Sequence, residues 1–554
     1  MPSGAVEYWS THRVTVEGVT YRARVLGHNL FEAKLSSDDG ADGSSRIALT
    51  LANADSYFSE LEAATGFRGA QLKVRFVFFD LREAAPSCEA RVLFRGIAGR
   101  PDEITDATLR ITFANRLSLQ RVTVPAIRIQ KRCPWVFPRT EAERLEAVDG
   151  GAKGRFSRVY PCGYSARVAG GCGNSDSSGR PFAACGGTRA ECVERGMFDK
   201  DAAGAVTRRF GGIEFVPSTI AVRSYGDKEW HASAVQANDA KYNDVVPVVY
   251  GTAWYTPPVV FARNDGNLTR MEALLGSHEM ERVLKVVVNG TEIPEAVSGA
   301  NMTATGWYSI VSSGGREGAF NPDFADASGR PEGDPYGSMT MMSIVVPNRV
   351  ATGESLPRIQ VLVQGRKLDQ FDDDGSLAEP AYTNNPAWIL LDLLRSSGWD
   401  LADIDVPTFS RAAAYFEEPI AMKDLHGNDT SRARMQANVA LQRRRSAADV
   451  VRGIRNCAGA FLSYGADGRL QLRAEACLSD QQPGKPAASN SLETLAGGWP
   501  AYEFSDGTRP FSGILRRDNG ESHFRVWSRS TAETANRLSL EFQDEFNEYQ
   551  QDSL

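Results

Sequence analysis

"TLRITFANRLSLQ", Thr108 to Gln120, places Leu109, Ile111 and Phe113 on one side of an extended chain. Alternation with a period of two marks a half-buried strand, because successive side chains of a pleated strand point to opposite faces. Upstream, "QLKVRFVFFDL" (71–81) repeats the pattern: Leu72, Val74, Phe76 and Phe78 share a face, with Lys73 and Arg75 opposite. Turns rich in Gly, Asp and Ser, such as "SSDDGADGSS" (36–45), separate such runs, and one short helix is expected around "ADSYFSELEAAT" (54–65). Residues 1–132 therefore predict a small β-barrel or sandwich. No helix–strand alternation of the doubly wound kind appears.

The same signals return further along. "RVLKVVVNGTEI" (282–293) carries Asn289-Gly290 between apolar runs, a hairpin signal because both residues tolerate positive φ. "RIQVLVQGRKL" (358–368) alternates through Ile359, Val361 and Val363. A helical passage follows. "NNPAWILLDLLRSSG" (384–398) offers Asn385 as N-cap, Pro386 at the first helical position and Gly398 as a stop, with Trp388, Leu391 and Leu394 on one stripe. A second helix is predicted after Ser446, with Asp449 in a capping-box-like position and Val450, Ile454 and Cys457 inward. It leads into a hairpin turned at Asp467-Gly468. The fold class expected is mainly β with α+β insertions.

At 554 residues the chain has room for roughly three or four domains of ~150 residues. With 42% apolar and 24% charged residues it reads as an ordinary folding chain. A net charge of −7 argues against a protein built to grip phosphate backbones. The N-terminus shows no signal-peptide pattern, and no apolar run approaches the ~18 residues of a membrane span. A cytosolic site of synthesis is expected, where thiols stay reduced and clustered cysteines more often bind metal than form disulfides.

The six histidines are scattered, with none in a paired metal-binding spacing. A nucleophile elbow, a P-loop and a placed dinucleotide fingerprint are all missing. "QFDDDGS" (370–376) has Gln370 where a calcium loop needs its first ligand, and reads as an acidic turn. Arg443, Arg444 and Arg445 read as a solvated face.

Of eight cysteines, Cys88, Cys457 and Cys477 read as small buried apolar residues. The other five, Cys133, Cys162, Cys172, Cys185 and Cys192, fall in a stretch poor in large apolar side chains from about 150 to 190. Such a segment cannot bury enough surface to offset the entropy of ordering it, so something else must fix it. Thiolates converging on a metal would do so, since their binding energy is also folding energy. Structural zinc sites usually carry tight C-x2-C pairs, whereas the closest pair here is Cys185 and Cys192, a C-x6-C. Zinc is disfavoured by that spacing but stays open. Widely spread cysteines can equally embrace an iron–sulfur cluster, whose irons each take one thiolate from a different direction.

"CPWVF" (133–137), "CGYS" (162–165), the C-x6-C pair and "RRFGGIEF" (208–215) together resemble the C-terminal half of the minor tail protein L family of lambda-like long-tailed phages. That resemblance implies a [4Fe-4S] cluster held by Cys133, Cys162, Cys185 and Cys192, with Cys172 a bystander. Later stretches are similar to the N-terminal part of the tail-tip protein J family of the same phages: "VVPVVYGTAWYTPPVVF" (245–261), "PRIQVLVQGRKL" (357–368), the helical passage from Thr383 to Phe416, "AADVVRGIRNCAGAFLSYGADGRLQLR" (447–473) and "LEFQDEFNEYQ" (540–550). The order of these stretches is more specific than any one of them.

The resemblance implies a structural virion protein, the hub of a phage tail tip or baseplate, with no enzymatic role. It implies a tube-like β-barrel hub domain over 1–132, a cysteine-rich iron–sulfur domain over 133–217, a second β-rich hub domain over 218–384, an α/β domain over 385–500 and a C-terminal β segment over 501–554. The implied partners are two further copies in a homotrimer, a distal tail or tail tube protein above, the tape measure protein, fibre or receptor-binding proteins below, and DNA in transit. The implied location is the virion tail, assembled in the bacterial host cytoplasm. Two other classes stand beside it: an iron–sulfur redox enzyme, for which no second cofactor or acid–base motif is found, and a secreted, disulfide-stabilised receptor-binding β protein.

Overall fold

In the computed structural model of the chain, Leu109, Ile111 and Phe113 enter one core and are at most 3% exposed. The structure describes residues 6–29, 46–77, 79–80, 85–86, 90–115, 119, 122–141, 144, 182–195, 210–213, 244–264, 268–277, 279–297, 305–313, 316–317, 339–347, 357–378, 380–423, 427–465, 467–476, 539, 541–544, 547 and 549–553. The chain divides into two compact units, the first comprising Met1–Ile420 and Ser431–Leu472, the second Ala421–Thr430 and Arg473–Leu554.

In the first unit, five antiparallel strands pair in the order β1-β2-β5-β4-β3: β1 (Val25–His28), β2 (Arg46–Ala52), β3 (Gln71–Phe76), β4 (Arg91–Ile104) and β5 (Thr108–Asn115). Leu109, Ile111 and Phe113 stand opposite Leu51, Leu49 and Ile47, so each inward residue of β5 meets an inward residue of β2. The expected barrel or sandwich is, among the described residues, an open sheet ending at β1 and β3. The predicted short helix, α1 (Tyr57–Ala64), buries Phe58 against this sheet's core. Ser56 makes no side-chain cap bond there; the buried Asn53 instead accepts from the Phe58 and Ser59 N–H groups, at 3.0 and 3.3 Å.

The next strands are β6 (Val248–Tyr250), β7 (Thr252–Tyr255), β8 (Val259–Asn264), β9 (Leu268–Gly276), β10 (Met280–Val288), β11 (Thr291–Ile293), β12 (Tyr308–Ser313), β13 (Thr340–Pro347) and β14 (Ile359–Leu368). β7 to β14 build two sheets, with the paths β7-β14-β10-β11 and β8-β9-β13-β12, while β6 pairs with Val439–Leu441. One core lies between them: Val286, Val288, Ile359, Val361 and Val363 from the first meet Met271, Ala273, Leu275, Met342, Ile344 and Val346 from the second. Asn289 and Gly290 turn β10 into β11 with φ of 47° and 81°, as the dipeptide predicts. Strand β13 is buried on both faces, and its outer face matters below.

α2 (Arg189–Glu194) lies in the cysteine-rich stretch. α3 (Pro386–Ser396), α4 (Val406–Glu417) and α5 (Ala447–Cys457) follow the strands. Asn385 caps α3 by accepting from the Ala387 N–H at 3.0 Å, and Gly398 ends the passage with φ 89°. Burial on α3 is not confined to the predicted stripe: Ile389, Leu390 and Leu393 are buried as well, because the helix packs against α4, α5 and β14. Two details of α5 differ from expectation. Cys457 is exposed at the helix end, and Ser446 makes no side-chain cap bond, its Oγ being buried without a hydrogen-bond partner. The hairpin turned at Asp467-Gly468 joins Ala460–Tyr464 to Leu470–Ala474, with Gly468 at φ 79°. In "QFDDDGS", Asp372 and Asp374 close on Ser376 while Asp373 accepts from Ser410.

Asn385 also donates to the Ala413 carbonyl at 2.9 Å and to Glu417 at 2.8 Å, tying α3 to α4. Asn385→Ala is expected to cost about 2 kcal/mol, the upper end for loss of a cap, read as a lowered denaturation midpoint. An unchanged midpoint would count against this account of the cap.

Buried charge joins three of the segments. Tyr250 on β6 donates its hydroxyl to Asp392 on α3 at 2.7 Å, and Arg366 on β14 meets the same carboxylate oxygen at 3.1 Å. The side chains of Arg366 and Asp392 are 7% and 3% exposed.

The second unit contains an antiparallel hairpin of Glu541–Asp544 with Gln550–Ser553 and an exposed Lys423–Asp429 pair at 2.7 Å. No described helix is long and apolar enough to cross a membrane.

Candidate metal centre

Cys133 lies on a segment anchored to the outer face of the β9–β13 sheet. Ile129, Trp135 and Ile213 pack there on Val246, Val260, Leu274, Met339 and Met341, with Cys133 and Phe137 against the same cluster. Backbone bonds fix the seat: the Ile129 N–H donates to the Asp244 carbonyl at 2.7 Å, Val246 to Ile127 at 3.0 Å and Ile213 to Gln130 at 2.8 Å. "CPWVF" and "FGG", widely separated in the sequence, are thereby brought side by side.

Cys185 reaches the same place from the other direction. The Cys133 N–H donates to the Gly187 carbonyl at 2.8 Å, and the Gly187 N–H donates to Cys185 Sγ at 3.3 Å. Gly187 has φ 69°, and a side chain there would sit 3.6–3.8 Å from Cys133 itself. Cys192 lies on α2, its N–H donating to the Thr188 carbonyl at 3.1 Å. All three cysteines are half-buried. Cys162 and Cys172 lie outside the described residues, as do Cys88 and Cys477.

Three arginines organise the loop before α2. Arg144 donates to the Phe182 carbonyl at 3.4 Å, Arg195 to Ala184 at 2.9 Å and Arg132 to Gly186 at 3.0 Å. Arg195 also pairs with Glu191 at 2.5 Å and stands 3.9 Å from the centre of the Phe182 ring, a cation–π contact. Glu191 in turn accepts from the Gly186 N–H at 2.6 Å. Alternate carbonyls are thus claimed by guanidinium groups, while the Gly187 N–H is left to a sulfur. Sequence reasoning named the cysteines but not Gly187 or these arginines; the Gly186-Gly187 pair directly after Cys185 was the available signal.

Gly211 donates its N–H to Cys133 Sγ at 3.4 Å, so the Cys133 and Cys185 sulfurs each accept a backbone hydrogen bond. Among the described residues no group of three or more His, Cys, Asp and Glu side chains is gathered to hold a metal ion. Cys133, Cys185 and Cys192, three of the four ligands that the resemblance implies, are described and do not form such a group, and the fourth, Cys162, lies outside the described residues.

No protein-family model matches the chain, and no curated protein matches it. Among solved structures, a chain in the virion of a native gene transfer agent particle is similar over 42% of this chain and 53% of that chain, at 13% identity and a TM-score of 0.26. The match spans about half the length of that chain, and likeness of this degree assigns no family.

Proposed function

We propose that the chain is a structural virion protein rather than an enzyme, the central hub of a phage tail tip or baseplate. In this reading three copies close and adapt the end of the tail tube, take part in tail assembly and surround the channel through which DNA leaves. A distal tail or tube protein and the tape measure protein would sit above, and fibre or receptor-binding proteins below. The observation that supports this most is the meeting of three L-like pieces, Cys133–Trp135, Cys185–Gly187 and Phe210–Gly212, around Cys133. Chain order alone does not require that meeting.

Cys133, Cys162, Cys185 and Cys192 would hold a [4Fe-4S] cluster, whose iron–thiolate bonds, when formed, would staple a stretch too poor in apolar residues to order itself. The arginine-clamped loop orients Cys185, and the apolar seat under Trp135 shields the Cys133 side from water.

Protein purified without oxygen should show a broad absorption near ~400 nm and about four irons with matching sulfide per chain. Cys133→Ser should abolish that content and Cys172→Ser should preserve it. Zinc, or oxidised cysteines without metal, would remove the cluster. Light scattering tests the assembly separately: three times the chain mass is expected, and a monomer at every concentration would oppose the hub.

A further inference from the structure

We infer that the loop carrying Arg443, Arg444 and Arg445 receives the acidic turn carrying Asp372, Asp373 and Asp374 of a second copy; this rests on the reading of the chain as an assembly of copies. All three arginines are exposed. They follow the pairing of Val439–Leu441 with β6 and run into the pairing of Arg445 and Ser446 with Val124 and Thr123. Arg444 donates to the Thr123 hydroxyl at 2.5 Å, which sets the direction of the loop. Among the described residues no ion pair engages Arg443 or Arg445, and Asp449, the next acidic residue along the chain, pairs with Arg452 at 4.0 Å.

The acidic turn has the matching chemistry. Asp372, Asp373 and Asp374 are exposed, and among the described residues their carboxylates accept from uncharged donors alone: Asp372 from Ser376 Oγ at 3.2 Å, Asp373 from Ser410 at 2.7 Å and Asp374 from the Ser376 N–H at 2.8 Å. Asp369, just before them, is already taken by Arg395 at 2.9 Å. The Asp372 N–H bond to the Ser376 carbonyl, at 3.0 Å, holds the turn in shape. Leu377 follows it, 47% exposed, an apolar surface on which arginine stems can lie. Guanidinium groups suit carboxylates because their planar forks can donate twice. A net charge of −7 makes copies repel on average, so a local match of opposite runs sets which faces meet. The two runs stand on different supports. The turn is held by Ser410 of α4 and by Phe371 against Trp388 of α3, whereas the loop is held by Thr123 and β6. Contact between two unlike patches is head to tail, the kind that closes into a ring rather than a self-complementary pair.

The test uses the full chain in four forms: wild type, Arg443→Glu with Arg445→Glu, Asp372→Arg with Asp373→Arg, and all four changes together. Sedimentation over a concentration series, at about 0.05 and 0.5 M salt, reads assembly, with circular dichroism as the check on folding. Each paired reversal is expected to raise the concentration for half-assembly about tenfold or more, because it sets like charges against each other. The combined form, with the charges exchanged, should return to within about threefold of wild type. Higher salt should narrow the gap between wild type and the paired reversals. If the arginine substitutions unfold the turn, Asp372→Asn with Asp373→Asn keeps acceptors for Ser376 and Ser410 and should still raise that concentration about threefold. Paired reversals that assemble like wild type overturn the inference and leave the trimer standing. Loss with the arginine-loop reversal alone would set a different acidic partner against the loop and also overturn it, as would a folded combined form that stays dissociated. Wild type that is monomeric at every concentration overturns both the inference and the hub assembly.

Discussion

Replacing Asp392 with alanine is expected to destabilise the first unit by about 3–5 kcal/mol, the cost of leaving a buried partner charge uncompensated. Arg366 would lose its counter-charge in a site where its own side chain is 7% exposed and its Nε already has no hydrogen-bond partner. Tyr250, fully buried beside it, would lose the acceptor of its hydroxyl. A triple replacement, Tyr250→Phe with Arg366→Met and Asp392→Leu, should recover most of the loss, because well-packed apolar groups of similar volume often match a buried ion pair. Denaturant midpoints for the single and triple variants decide the matter. Equal losses would mean that Asp392 acts through its shape rather than its charge.

This trio also shows where sequence reading stops. Each member lies in a stretch quoted for its resemblance to the J family, yet Tyr250 and Asp392 are 142 positions apart and nothing local marks them as partners. Local physics was legible: the buried row Leu109, Ile111 and Phe113 follows from period-two spacing, the Asn289-Gly290 turn from tolerance of positive φ, and the start of α3 from Asn385-Pro386. Features set by what a neighbour does were not. α3 is buried well beyond one stripe because three elements pack on it, and Ser446 stands at the start of α5 without its side chain capping it. Cys457 was expected inward from helical spacing, but it falls in the last position of α5, where the packed face runs out. At the candidate centre, spacing alone would have grouped Cys172 with its near neighbours. The seat of Cys133 on the β9–β13 sheet depends on Trp135, Ile213 and Met341, residues that only the fold brings together.

Gly365→Ala should be the costliest single-methyl change in the second sheet pair, near the upper end of the 1–3 kcal/mol typical of overpacking, about 3 kcal/mol. Gly365 lies in β14, and an added Cβ would stand 2.2 Å from the Val249 carbonyl oxygen and 3.1 Å from that of Gly251. Both are main-chain atoms of β6 and the turn after it, so no side chain can move aside. The Gly365 N–H bond to Gly251 at 2.8 Å pins the crossing. Gly375 supplies the contrast: it has φ 82° with nothing within 4 Å, so alanine there meets only backbone strain, about 1–2 kcal/mol. Asparagine separates the two cases, because it tolerates left-handed backbone but needs more room. Gly375→Asn should be milder than Gly375→Ala, whereas Gly365→Asn should be worse than Gly365→Ala. If asparagine ranks the same way at both sites in denaturant titrations, the close approach of β6 to β14 is not what selects glycine at 365.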